Sequence, residues 1–189
     1  MNLEFFTWLS AMQKEIRRGN EVEAFYWAFH TVENGYFTHV KSRLRVIAHE
    51  DIGTADLTVL PFVSQCIADM ETWYKEKNNH WVLALANAVL ALCRARKSRD
   101  ADHLHIIVRS DRKKGLKLDV PDYAFDKHTS QGKKLNRGFK HFFEEAAKLN
   151  PDCSNSSYAE KAKKACIELE EGKVEDFFQF AYPKKSEKE

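Results

Sequence analysis

The stretch Phe5-Phe6-Thr7-Trp8-Leu9-Ser10-Ala11-Met12-Gln13-Lys14-Glu15-Ile16-Arg17-Arg18-Gly19-Asn20 sets Phe5, Leu9, Met12 and Ile16 at intervals of four, three and four. That spacing is one apolar stripe of an α-helix, with a polar opposite face and a stop at Gly19-Asn20. Outward from it, the same period continues. Val22, Phe25, Tyr26, Phe29 and Val32 predict a second helix, which Asn34-Gly35 ends because glycine accepts the left-handed backbone. Val40, Leu44 and Ile47 mark a third, closing near Asp51-Ile52-Gly53, and Asp56 is expected to cap a fourth through Val59, Val63, Ile67 and Met70. Trp81 to Cys93 is apolar on nearly every side, the signature of the most buried helix of a bundle.

A shorter helix is expected from about Ser98 to Val108, then a charged loop with Lys113, Lys114 and Gly115, and re-entry into structure at Val120-Pro121. Leu135, Phe139, Phe142, Ala146 and Leu149 repeat at four, three, four and three, with Lys133, Arg137, Lys140, Glu144 and Lys148 opposite them. This pattern predicts one long amphipathic helix that Asn150-Pro151 ends. Ser154 to Ser157 then caps a last helix running towards Gly172. The chain has no internal repeat, and the expected fold class is all-α, a multi-helix bundle.

Bulk composition agrees. Seven Gly and four Pro in 189 residues, with 43% hydrophobic and 31% charged residues, leave too little turn chemistry for many short strands. A net charge of +2, from 30 basic and 28 acidic residues, does not by itself mark a nucleic-acid binder, so any such contact needs local clustering. Cys66, Cys93, Cys153 and Cys166 form no Cys-x-x-Cys pair and are expected as reduced, mostly buried thiols. Met1-Asn2-Leu3-Glu4 carries no basic leader, and Asn87 interrupts the longest apolar run. Neither secretion nor membrane insertion is expected, and the compartment is read as cytoplasmic.

Three constellations are candidates for chemistry. His49, Glu50 and Asp51 are consecutive, and adjacent helical residues point about 100° apart, so they do not converge unaided. Their structural reading is that Glu50 or Asp51 pairs with a base such as Arg43 or Arg45, or caps the turn at Gly53. Asp126, His128, His141 and Glu145 are the most enzyme-like set, a two-residue step plus a His and Glu near one helical turn apart; the alternatives are one metal site or a loop cap with a surface helix pair. Lys133, Lys134, Arg137 and Lys140 form a basic stripe suited to successive phosphates, or a solvated face balanced by Glu144. The aromatic residues, thirteen Phe, six Tyr and four Trp, exceed what a small bundle readily buries, so some are expected at a contact surface.

Three segments carry a family resemblance. Ser10-Ala11-Met12-Gln13-Lys14-Glu15-Ile16-Arg17, followed by Ala24-Phe25-Tyr26-Trp27, is the first; Arg43-Leu44-Arg45-Val46-Ile47-Ala48-His49-Glu50-Asp51-Ile52-Gly53-Thr54-Ala55-Asp56 is the second and most specific; Lys97-Ser98 is the third. In this order they resemble the C-terminal helical region of the replication-associated recombination protein A and Werner-helicase-interacting AAA+ ATPases. Arg96 stands where that family usually has Pro, and Gly138-Phe139-Lys140-His141 replaces a Gly-Tyr-x-Tyr-Pro-like segment. The resemblance implies a helical domain of the clamp-loader collar type over residues 1–110. Residues 111–189 are expected to form a looser helical extension packed on the same domain, with a charged tail from about 183. Gln13, Lys14, Arg17, Arg43, Glu50, Asp51, Gly53, Lys97 and Ser98 are the motif positions, expected to be structural.

A phosphate-cradling Gly-x-x-x-x-Gly-Lys-Ser/Thr loop is absent: Gly132-Lys133 and Gly172-Lys173 lack both the upstream glycine and the hydroxyl. ATP hydrolysis by these residues is not expected, nor is a cofactor. The resemblance implies a non-catalytic oligomerisation or adaptor module linked to DNA replication, recombination or repair. It would be a homodimer or homotetramer whose partners include DNA, single-strand-binding protein or a separate ATPase subunit, and no membrane. The alternative is a metal-dependent enzyme acting on nucleic acid or nucleotides through Asp126, His128, His141 and Glu145.

Overall fold

A computed structural model describes residues 4–178, and the regular structure among them is helical, with no strand. Helix α1 (Glu4–Arg18) buries the stripe Phe5, Leu9, Met12 and Ile16 together with Gln13. It ends as glycine permits: Gly19, at φ +77°, donates its N–H to the Ile16 carbonyl while Asn20 donates to Glu15, satisfying two terminal carbonyls. The turn folds α2 (Glu21–Glu33) back along α1.

Helix α2 corrects the reading from size and period in part, since Val32 is buried and Phe25 packs against the core. Val22 is 78% exposed and Tyr26 57%, whereas the buried positions are Ala24, Ala28, Thr31 and Val32. Helix α2 packs on both α1 and α5, and small side chains let backbones approach on two sides. Thr31 fits there because its hydroxyl donates back to the Trp27 carbonyl at 2.6 Å.

Helix α3 (Phe37–Ile47) buries Val40, Leu44 and Ile47, then loosens into a π-helical turn, Ala48–Ile52, and a 3-10 turn, Gly53–Ala55. Helix α4 (Val59–Lys75) buries Val63, Ile67 and Met70 as its period requires. Helix α5 (Trp81–Arg94) touches α1, α2, α3 and α4, the central place expected of it. Burial there pushes the Cys93 thiol up to about 11, so it stays protonated and inert. Helix α6 (Asp100–Lys113) is longer than its sequence period suggests and has no buried residue.

The chain divides into two compact units, one ending at Leu116 and one beginning at Lys117. Within the second, the long helix expected over Leu135–Leu149 is broken. Helix α7 (Ser130–Lys134) stops where Asn136 takes a left-handed φ of +53°, with the Arg137 N–H returning to the Gly132 carbonyl. Helix α8 (Phe139–His141) starts after Gly138, where any Cβ would strike the Glu170 carboxylate that accepts the Phe139 N–H at 3.0 Å. A π-helical turn, Phe142–Ala146, follows, and α9 (Ser156–Glu170) closes the unit with Asn155 as its cap, its side chain accepting from the Ser157 N–H. The charged tail from about 183 lies outside the described residues. Among those described, no helix is long and apolar enough to cross a membrane.

One ion pair ties α3 to α4. Lys41 is almost fully buried, with its ammonium 2.7 Å from Glu71 Oε2. Hydrogen bonds from Lys41, then from Lys75, hold the Glu71 carboxyl down to about 2. A carboxyl depressed by folding stabilises above its unfolded value, near 4.5, and loses that contribution as pH falls towards 2. Glu71→Gln is therefore expected to lower the urea midpoint at pH 6 to 7. The gap to the unsubstituted chain closes as the pH of the titration approaches 2.

Candidate functional site: an ion-pair lock beside an open groove

The motif residues gather around Asp51, whose side chain is 1% exposed. Arg17, on the last turn of α1, donates Nε to Asp51 Oδ1 at 2.8 Å and Nη2 to Glu50 Oε1 at 2.8 Å. Two consecutive carboxylates meet one base because the guanidinium fork, with its separated donors, spans the angle between them. Gln13, one turn earlier on α1, donates Nε2 to Asp51 Oδ2 at 2.9 Å and Glu50 Oε2 at 3.2 Å. Its Oε1 accepts from Arg43 at 2.8 Å. The sequence expectation that Arg43 or Arg45 pairs with the carboxylates is thus corrected: Arg43 reaches them only through Gln13, and Arg45 is exposed.

Arg99 completes the cluster from the other side. Its Nη2 lies 2.9 Å from Glu50 Oε1 and also pairs with Asp102, while Nε sits 3.6 Å from Asp51 Oδ1. That last distance is an ion pair without a hydrogen bond, which is why Nε is buried and unbonded. Ser98 adds a backbone N–H to the Asp51 carbonyl at 3.0 Å and a hydroxyl that accepts from Asp100 N–H at 3.0 Å. Lys97 caps the end of α5, donating to the Cys93 and Ala95 carbonyls at 2.7 and 3.1 Å. Gly53 closes the π-helical turn at φ +50°, its N–H bonded to the Ala48 carbonyl. Lys14 stands apart, exposed and bonded to Ser10.

Arg99 is the member that sequence reasoning missed. Its position beside Lys97-Ser98 was the available signal. What it does is mechanical: with Asp51 and Glu50 it holds the first turn of α6 on the π-helical turn. Between α3, that turn and α6 lies an open groove of about 430 Å³ lined by Arg45, Val46, His49, Glu50, Ala101, Asp102 and His105. Asp102 accepts from Arg99 and stands 3.2 Å from His105, so its charge is already matched.

The other candidate sites are placed differently from expectation. Lys133 and Lys134 end α7, Lys140 lies on α8, and all three are exposed, but the interruption of the helix between Lys134 and Phe139 removes the single basic stripe. Arg137 is committed elsewhere: both Nη2 contacts to Asp122 are 2.7 Å, and Nη1 donates to the Asp122 and Phe125 carbonyls at 2.6 and 3.0 Å. Asp126 accepts from the His128 N–H at 3.0 Å, the His128 ring packs edge-on to Phe142, and Glu145 pairs with Lys148 at 2.9 Å. Among the described residues no three His, Cys, Asp or Glu side chains group as metal ligands, which corrects the idea of one site built from Asp126, His128, His141 and Glu145.

Two comparisons bear on this arrangement. The family model described as the C-terminal region of the MgsA AAA+ ATPase matches residues 19–182, so the likeness runs through the second unit as well as the first. Replication-associated recombination protein A of Bacillus subtilis (strain 168) is 34% identical over 131 residues, 69% of this chain and 30% of that protein. The chain therefore spans under a third of the length of the curated relative it matches.

Removing a buried acceptor leaves its hydrogen-bond donors under-satisfied, at a cost of about 1–3 kcal/mol, whereas an exposed position away from such features costs within about 0.5 kcal/mol. Asp51→Ala is expected to fall in the first class and Lys14→Ala in the second. Equilibrium urea unfolding of the two variants measures the contrast within one motif.

Proposed function

Since the chain belongs to the family of MgsA AAA+ ATPase C-terminal regions, we propose that it is a helical assembly module working in DNA replication and recombination, not a catalyst. The observation that carries this reading is the use to which the motif residues are put. Gln13, Arg17, Glu50 and Asp51 spend their hydrogen bonds on one another and on Arg99 and Arg43. Such a lock positions helices, and what it positions is α6, a helix with no buried residue among the described residues.

In this reading the module forms a homodimer or homotetramer. The replication link comes from the relative's name, and the partners proposed beside it are DNA, single-strand-binding protein or an ATPase subunit. Lys133, Lys134 and Lys140 remain the exposed bases on the second unit that a phosphate backbone would meet. Exposed aromatic side chains, Phe6 and Tyr26 among them, support a contact role for the first unit. The lack of a phosphate loop assigns nucleotide chemistry to a motor elsewhere, whether on the same polypeptide or another.

Two outcomes test the proposal. At low micromolar concentration the purified chain is expected to sediment at two or four times 22.0 kDa, and a mass near 22.0 kDa at every concentration overturns assembly. It is also expected to show no saturable ATP binding and no ATP turnover. Turnover that follows the protein through successive columns overturns the non-catalytic reading.

A further inference from the structure

Helix α6 is held at one end and bare along the rest. Its first turn is fixed through Arg99 to Glu50 and Asp51, and Ala101, Asp102 and His105 line the groove that faces α3 and the π-helical turn. At 100° per residue, the stripe opposite those three runs through Asp100, His103, Leu104, Ile107, Asp111 and Lys114. Leu104 is 63% exposed and Ile107 55%, with Val108 exposed at their flank. A helix of 14 residues, about 21 Å long, that is locked in direction while its aliphatic side chains stay exposed among the described residues is a contact element without its contact.

The stripe is self-complementary. We propose that α6 pairs antiparallel with α6 of a second copy of this chain, about a two-fold axis passing beside Ile107. That register sets Asp100 against Lys114, His103 against Asp111, Leu104 against Ser110, and Ile107 against itself. Every charged position on the stripe then meets a partner of opposite or protonatable character, and the pattern repeats on both sides of the axis as an isologous contact requires. Parallel pairing would bring Asp100 against Asp100 and Lys114 against Lys114, and would align the helix dipoles instead of opposing them. The Asp100 carboxylate has no ion-pair partner among the described residues, and Lys114 reaches only Asp111 of its own helix, at 3.8 Å. Both ends of the stripe are therefore available. A partner of unrelated sequence would use the aliphatic centre, but only a second copy uses the whole charge pattern.

This inference rests on the assembly reading above and names the surface that serves it. Sedimentation equilibrium of the full chain and three variants tests it, with far-UV circular dichroism checking the fold. Ile107→Glu places two carboxylates on the axis at an exposed helical position, and it is expected to weaken self-association at least tenfold while helix content is unchanged. Asp100→Lys is expected to weaken it as well, and the double variant Asp100→Lys with Lys114→Asp to restore the unsubstituted mass. If the unsubstituted chain assembles and Ile107→Glu assembles equally well, the α6 contact is wrong and the assembly reading stands. If Ile107→Glu dissociates but the charge exchange restores nothing, the antiparallel register is wrong and the proposal falls. If the unsubstituted chain is a monomer at every concentration, assembly itself is wrong and the contact falls with it.

Discussion

The contact on which the first unit depends is the buried Asp51 carboxylate, held by Arg17 and Gln13 from α1 and approached by Arg99 at the start of α6. Ion pairs of this kind add little net stability over a well-packed apolar replacement, because two charges must leave water to form them. What they do is penalise separation of the partners. A hydrophobic patch at the same place would tolerate α6 at many angles, whereas a carboxylate bonded on both oxygens admits few. The lock exchanges generic cohesion for direction.

That exchange makes sense when the helix being directed has no core to settle into. Helices α1 to α5 are placed by burial, each contributing buried side chains to one continuous core, large ones from α1, α3, α4 and α5 and mostly small ones from α2. Helix α6 contributes none, and no amount of packing could fix it where the remaining groups point outward. Polar geometry takes over there. The backbone bond from Ser98 to the Asp51 carbonyl and the Lys97 cap on α5 work to the same end, by fixing the connection through which α6 leaves the bundle. All three sequence segments that carry the family resemblance therefore converge on one joint, with Gln13 and Arg17 from the first, Glu50, Asp51 and Gly53 from the second, and Ser98 from the third.

How much of this was legible in the sequence differs by element, and the reasons are physical. Helices α1, α3 and α4 bury large side chains on one stripe, so their period reads directly. Helix α2 faces the core mainly with Ala24, Ala28 and Thr31, and a reading that ranks side chains by size found Val32 and Phe25 but put exposed Val22 and Tyr26 on the same face. Over Leu135–Leu149 the apolar period was real but was outweighed by Asn136, which accepts a left-handed turn, and by Gly138, whose extended backbone donates the next N–H to the Glu170 carboxylate. In the candidate site, the carboxylates at Glu50 and Asp51 were recognisable as partners for a base. Their actual partners were not, since Arg17 and Arg99 lie 33 and 49 positions from Glu50 and nothing local connects them.

The central claim is that the Asp51 cluster exists to hold α6, and hydrogen exchange resolved along the chain in an Arg99→Ala variant tests it most directly. Loss of the Arg99 side chain leaves Arg17 and Gln13 on Asp51, so the core keeps its own lock while α6 loses its anchor. The account predicts that amides of Asp100–Lys113 lose at least tenfold in protection while those of α1 to α5 keep theirs. Unchanged protection in α6, or a loss spread evenly over the first unit, would contradict it.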